Sequence, residues 1–172
     1  HEDFDHSGGL EALKEKVEIK QIVQTSNQKV DVDYPFFSLL EDRKSNNEND
    51  NSIISYFIYD GIQYLWTGDA GIEIEEQFMK TYPELEVDVL KLGHHGSSTS
   101  SSYAFLKEPQ LGLISVGANN RYGHPDNEVI SNCTKLNIDL LMTKDVGTIH
   151  IFTFKGIAFF RTQTGLFGIL ES

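Results

Sequence analysis

Apolar residues recur along this chain in two periods, and the period changes from segment to segment. Between Gly8 and Val17, Leu10, Leu13 and Val17 fall at helical spacing, which predicts a helix. Ile19 to Val23 reads as a short strand. Thr25 to Asn51 is polar and rich in Asn, Ser and Asp apart from Tyr34 to Leu40, and predicts a long surface loop with at most one local turn of structure. Beyond it the pattern sharpens. Ile53–Tyr59 and Ile62–Trp66 are β-rich runs on either side of Asp60-Gly61, a pair that tolerates positive φ and predicts a hairpin.

A helix is predicted over Ile72–Tyr82 and a buried strand over Val87–Leu92. Ser101–Lys107 predicts a short helix behind a serine-rich start, and Leu111–Val116 another buried strand. Pro125 and Asp126 supply start signals for a helix over Asp126–Leu136. Strands are predicted over Ile138–Met142, Thr148–Phe154 and Ile157–Arg161, the last two joined at Lys155-Gly156, and Thr164–Leu170 adds an edge strand. Alternating strands and helices imply a layered α/β fold with helices packed on sheet faces.

The 172 residues suit one domain. No apolar run is long enough to span a bilayer. The net charge of −12 would repel a phosphate backbone unless metal ions or a basic partner offset it. That argues against autonomous, tight nucleic-acid binding, but not against cleavage of a strand delivered by another domain; it suits a surface kept acidic for solubility equally well. The single cysteine, Cys133, lies in a helix-like stretch and reads as a packed thiol. The first residue is His1 rather than Met, so an excised or processed chain is expected.

The chemistry-bearing residues gather where strands end. The chain opens His1-Glu2-Asp3-Phe4-Asp5-His6, followed by Ser7-Gly8-Gly9. Imidazole nitrogens and carboxylate oxygens are ligands for Zn, Mn and Fe ions, although a solvated, charged terminus has the same composition. Thr67-Gly68-Asp69 places a carboxylate just after a strand; read alone, it equally suits a helix N-cap. Gly93-His94-His95-Gly96-Ser97 puts paired histidines at the end of the next strand, and Arg121-Tyr122-Gly123-His124-Pro125 puts another after the one that follows. Five of six histidines thus fall near glycines in loops at strand ends, where open α/β sheets hold their sites. The sixth, His150, lies within a strand.

His1-x-Asp3-x-Asp5-His6 with Gly8-Gly9, then Thr67-Gly68-Asp69, then Lys91-Leu92-Gly93-His94-His95-Gly96-Ser97 with its Ser/Thr run, then Asn120-Arg121-Tyr122-Gly123-His124-Pro125, together resemble the metallo-β-lactamase-fold domain of the ComEC family of bacterial competence DNA-uptake proteins. The resemblance runs from His1 to about Asp145. It implies a metallo-β-lactamase-type αββα sandwich over residues 1–172, here an N-terminally truncated fragment lacking its first strands. It implies one or two divalent ions, Mn or Zn ahead of Mg, held by His1, Asp3, Asp5, His6, Asp69 and His124, with Asp69 bridging. Asp3 stands where the wider superfamily has a second histidine. No histidine lies between His6 and His94, with Asn51 near the region that would supply one. Such oxygen-rich substitutions favour harder ions.

The activity implied is metal-dependent hydrolysis by a nuclease degrading the DNA strand that is not imported. DNA, single-stranded or duplex, would arrive through a membrane channel domain of the same parent protein, on its extracytoplasmic face. Catalytic roles fall to Asp3, Asp5 and His95, with His94 the alternative to His95. Ser97, Ser98, Thr99 and Arg121 are candidate substrate contacts, by hydroxyls and free N–H groups ahead of a helix and by a charged guanidinium; a capped loop and a surface ion pair account for the same residues. A hydrolase of a small ester or thioester and a non-catalytic module binding DNA or a partner remain as alternatives. A sheet lacking its neighbours would also expose apolar surface, so the isolated fragment is a candidate homo-oligomer.

Overall fold

The computed structural model describes residues 3–25, 28–41, 43–106, 109–154 and 157–170. Two short helices open it, α1 (Phe4–Ser7) and α2 (Leu10–Lys14), in place of the single helix expected over Gly8–Val17. Neither buries a residue, and Leu13 and Val17 stay half exposed, so no apolar face against a core extends them. The strand expected over Ile19–Val23 is absent; that stretch pairs with no sheet. The loop expected over Thr25–Asn51 instead contains strand β1 (Phe36–Leu39).

That strand forms because its aromatics have cross-strand partners. It runs antiparallel to β2 (Ile54–Tyr59), with Phe36 opposite Phe57 and their rings stacked 5.8 Å apart. Asp60 and Gly61, with φ of 49° and 87°, turn the chain into β3 (Ile62–Trp66), as the hairpin signal predicts. From there every connection to the next strand is a crossover, and β3, β4 (Val89–Lys91), β5 (Leu111–Ile114) and β6 (Asp139–Met142) are parallel. The six strands lie in sequence order.

Helix α3 (Ile72–Thr81) lies between β3 and β4, and α4 (Asn127–Lys135) between β5 and β6. Their buried faces meet one side of the sheet: Phe78, Val129 and Cys133 share a core with Leu65, Leu90, Leu92 and Ile114. A third crossover is less regular. The helix expected over Ser101–Lys107 is a single turn in which Phe105 and Leu106 N–H both donate to the Ser102 carbonyl; Lys107 lies outside the described residues.

A one-turn helix, α5 (Thr143–Val146), leads from β6 to a second, antiparallel sheet of β7 (Ile149–Phe154), β8 (Ile157–Thr162) and β9 (Phe167–Leu170). The turn expected at Lys155-Gly156 lies outside the described residues. Ile149, Ile151, Ala158, Phe160 and Leu170 pack on Phe57, Ile62, Val89 and Leu111, the other side of the large sheet. The architecture is therefore mixed α/β in three layers: helices, six-stranded sheet, three-stranded sheet. A fourth, helical layer of an αββα sandwich would cover Phe152, Phe154, Phe167 and Ile169, all of which are exposed. Period-two alternation accounts for both faces, since these residues alternate with the inward-facing set.

Candidate functional site

The parallel strands β3, β4 and β5 all end at one edge of the large sheet, and each is followed by a histidine- or aspartate-bearing loop. After β3 the chain reverses at Gly68, with φ of 59° and its α-carbon against Ser52, where a Cβ would come within 2.7 Å of the serine Cβ. The reversal carries Asp69 to a buried position, 3% exposed, and the Ser52 hydroxyl accepts a hydrogen bond from the Asp69 N–H at 2.9 Å.

After β4 the chain runs through His94 and His95, both left-handed at φ of 45° and 55°. Consecutive side chains on an extended strand point to opposite faces; this reversed backbone lets both rings meet Asp69. His94 Nε2 lies 3.7 Å and His95 Nε2 3.8 Å from Asp69 Oδ2. The loop closes at Gly96, with φ of 83°, where a Cβ would lie 2.6 Å from Pro125.

Helix α1 closes the cluster from the N-terminal side. Asp5 and His6 sit on its single turn rather than on an irregular loop. His6 Nε2 is 3.3 Å from Asp69 Oδ2, and Asp5 Oδ2 is 3.3 Å from His95 Nε2. Ligand atoms of Asp5, His6 and His95 lie within 4.8 Å of one another. His124, after β5, brings its ring to 5.7 Å from that of His94 and lines a cleft of about 440 Å³ with Asp5 and His95. Asp69 thus faces His6, His94 and His95, with Asp5 beside His95 and His124 beside His94. Asp3 is not among the three residues whose ligand atoms gather; its carbonyl accepts from the His6 and Ser7 N–H groups and starts α1. His1 lies outside the described residues.

The far side of three rings is held. His95 Nδ1 is 2.7 Å from the Ser115 carbonyl, which can only accept, so Nδ1 donates and Nε2 is the nitrogen turned to the cluster. His124 Nδ1 lies 3.3 Å from Asp126 Oδ1, and His94 Nδ1 lies 3.1 Å from Thr99 Oγ1. Hydrogen bonds of this kind fix the tautomer and orientation of ligating histidines.

Part of the serine-rich run is built into this frame. Ser97 is buried, and its hydroxyl lies 3.0 Å from that of Thr99, the partner of His94. The Ser98 N–H donates to Asp126 Oδ2 at 2.7 Å, and hydrogen bonding from the Ser98 side chain, together with that N–H, holds the Asp126 carboxyl below the usual carboxylate range. Of the two serines expected to contact substrate, Ser97 is enclosed, and Ser98 is exposed and gives its N–H to the carboxylate beside His124. Thr99 and Arg121 are exposed; Arg121 lines the cleft. Asn51 does not take the place of a missing histidine, because its side chain exchanges hydrogen bonds with the Ser45 backbone. Asp50, its neighbour, accepts from the Gly71 N–H and lines a separate cleft with Asp69 and His94.

A buried carboxyl, Glu75, and a half-buried ammonium, Lys91, lie behind the centre. Glu75 on α3, 1% exposed, accepts from the Ser101 N–H and, at 3.0 Å, the Ser102 N–H. The Ser101 hydroxyl in turn accepts from the Gly93 N–H at 3.1 Å, the residue before the paired histidines. Burial pushes the Glu75 carboxyl up, against the lowering by those hydrogen bonds. Burial pushes the Lys91 ammonium down, against the raising influence of Asp69. Neither role could be read from spacing; Glu75 fills a core-facing helical position where an apolar residue would be the default.

The fold and the centre define a class: a layered α/β domain with a histidine–aspartate cluster at the ends of its parallel strands. No protein-family model matches the chain. Over 166 residues it is 32% identical to competence protein ComA of Neisseria gonorrhoeae, covering 87% of this chain and 24% of that protein. Over 106 residues it is 36% identical to ComE operon protein 3 of Bacillus subtilis (strain 168), covering 60% of this chain and 14% of that protein. Recombination protein 2 of Haemophilus influenzae matches at 25% identity over 173 residues, 90% of this chain and 22% of that protein. The chain spans a quarter or less of the length of these curated relatives.

Proposed function

We propose that this chain is the metal-dependent phosphodiesterase part of a competence DNA-uptake protein, a nuclease acting on the DNA strand that is not imported. The similarity to a competence protein over 87% of the chain supports the setting, and the histidine–aspartate centre supports the chemistry.

The carrying observation is His95. Its Nδ1–H is committed to Ser115, so Nε2 is the nitrogen turned toward two carboxylates, Asp5 and Asp69. An imidazole nitrogen and two carboxylates converging on one point are a donor set for a cation. Four imidazoles and two carboxylates make a mixed N/O donor set that fits Zn or Mn better than Mg. A divalent ion there would supply a Lewis acid and a water of lowered pKa for attack at phosphorus.

The chain's own residues provide the rest. Asp69 supplies buried negative charge at the focus of three imidazoles. Ser115 and Asp126 hold the rings of His95 and His124 in one orientation. Asp5, at the exposed edge, is placed to accept a hydrogen bond from an entering water and orient it. Arg121 at the cleft mouth meets a phosphate by charge-assisted hydrogen bonds.

Metal content of the purified protein and its cleavage of labelled DNA, with Mn²⁺, Zn²⁺ and Mg²⁺ compared side by side, tests the reading against Asp69→Asn. Asn keeps the shape but loses the charge. Wild type is expected to retain metal and cleave, and the variant to lose both while keeping its circular dichroism spectrum. Cleavage by the variant at the wild-type rate, or a wild type that neither holds metal nor cleaves, overturns it.

A further inference from the structure

Beside the metal-ligating cluster the structure carries an aromatic feature that the proposed hydrolysis does not use. Tyr122 is 80% exposed, an unusual position for a large ring. It is not loose: its ring lies 14° from the plane of His124, with centroids 6.0 Å apart, so one face is backed and the other is open. Tyr122 and Arg121 form one wall of the cleft that Asp5, His95 and His124 also line.

That cleft continues. Ser115 and Thr143 line it and also line a second cleft of about 580 Å³, whose other walls include Trp66 and Lys91. Trp66 is 42% exposed and is seated edge-on against Phe57, with centroids 4.9 Å apart. Each cleft falls in the size range of sites for one small ligand, about 300–1,000 Å³. The two meet at Ser115, the residue that holds His95. The two adjoining clefts make a trough, with Tyr122 lining one part beside Asp5, His95 and His124, and Trp66 lining the other.

We infer that this trough seats an unpaired nucleic-acid strand, with Tyr122 stacking on a base next to the scissile phosphate and Trp66 on a base further along. This rests on the phosphodiesterase reading and adds the substrate form and the residues that select it. Stacking decides between strand and duplex. A duplex is held mainly by neutralising its phosphates, and this chain carries 26 acidic against 14 basic residues, a net charge of −12. Base stacking on aromatic rings adds affinity that does not come from phosphate charge, is indifferent to sequence, and is open only to bases outside a helix. A small ester without a ring would leave both aromatic walls without purpose.

The test compares binding of a short fluorescein-labelled thymidine strand, the same strand carrying abasic sites, and the thymidine–adenine duplex. It uses the full chain with Ca²⁺ supplied, and wild type, Tyr122→Ala and Tyr122→Phe. Quenching of Trp66, the single tryptophan, reads the far end of the trough in the same titration. The wild type is expected to bind the thymidine strand on the order of 10- to 100-fold more tightly than the abasic strand, and to quench Trp66. Tyr122→Ala should weaken the thymidine strand by a similar factor and leave the abasic strand unchanged, and Tyr122→Phe should restore binding. No binding of the thymidine strand, equal losses on both strands, or tighter binding of the duplex overturns the inference. Base-dependent binding without Mn²⁺-dependent cleavage would sink the phosphodiesterase reading and leave the strand-binding trough standing.

Discussion

Replacing Glu75 by Gln separates what holds the paired histidines from what they do. The two carboxylate oxygens serve two backbone donors, the N–H groups of Ser101 and Ser102. Gln offers one oxygen and turns an amide N–H toward the other donor. The variant loses one charge-assisted bond and leaves a buried N–H unsatisfied, which costs about 1–3 kcal/mol. Relief from burying a charge offsets part of this, because burial outweighs hydrogen bonding at Glu75 and raises its pKa above the ordinary 4.5. The net expectation is a loss of about 1–2 kcal/mol at neutral pH, read from the urea midpoint at unchanged slope.

The sign with pH follows from the same shift. A folded-state pKa raised above the unfolded value gives stability that is present below pH 4.5 and lost as pH rises through the raised value. Wild-type stability should therefore fall as pH rises through the raised value, and Glu75→Gln, which has no proton to lose there, should remove that part of the pH dependence. The variant should also bind Mn²⁺ more weakly, because the Ser101 hydroxyl that Glu75 positions accepts from Gly93, next to His94. Wild-type stability and wild-type metal affinity in the variant at every pH would refute the clamp.

Phe78→Ala should cost about 3–5 kcal/mol in urea unfolding, since the ring is buried between Tyr82 and Phe105 and the sheet cannot close over the space. Gly96→Ala forces a Cβ onto Pro125 in a left-handed backbone, and a loss of about 1–3 kcal/mol together with weaker metal binding is expected from calorimetry. Asp126 has its pKa lowered by Ser98, so its contribution is present above the ordinary 3.8 and disappears as pH falls through the lowered value; Asp126→Asn should flatten that acid limb of the Trp66 fluorescence titration.

How far the fold could be read depended on whether an element carried its own signal. The hairpin at Asp60-Gly61 and the helices over Ile72–Thr81 and Asn127–Lys135 did, through turn chemistry and periodicity. Strand β1 did not. Phe36 and Phe37 sit in a polar stretch, and only their partners, Phe57 and Tyr56 some twenty residues on, make them a strand. The opening helix misled in the other direction. Leu10, Leu13 and Val17 have helical spacing but no core to face, and the helix covers Leu10–Lys14 alone.

The site divides along the same line. Strand ends with glycines mark where ligands belong, so Asp69, the paired histidines and His124 could be named as candidates from spacing. What spacing leaves open is direction. Adjacent histidines on a strand would face apart, and only a backbone held left-handed at both residues turns both rings to Asp69. Holding it there requires neighbours distant in sequence: Glu75 through Ser101, Thr99 on His94, and the Ser115 carbonyl on His95. A left-handed residue other than glycine costs on the order of 1–3 kcal/mol. Two in succession persist only where the surroundings over-determine them, which makes the pair the strained part of the edge and the part its buried polar network is built to hold. Metal affinity should then track loss of these remote partners as closely as loss of a ligand. That ordering would fail if Thr99→Val left Mn²⁺ affinity untouched while His94→Ala reduced it tenfold or more.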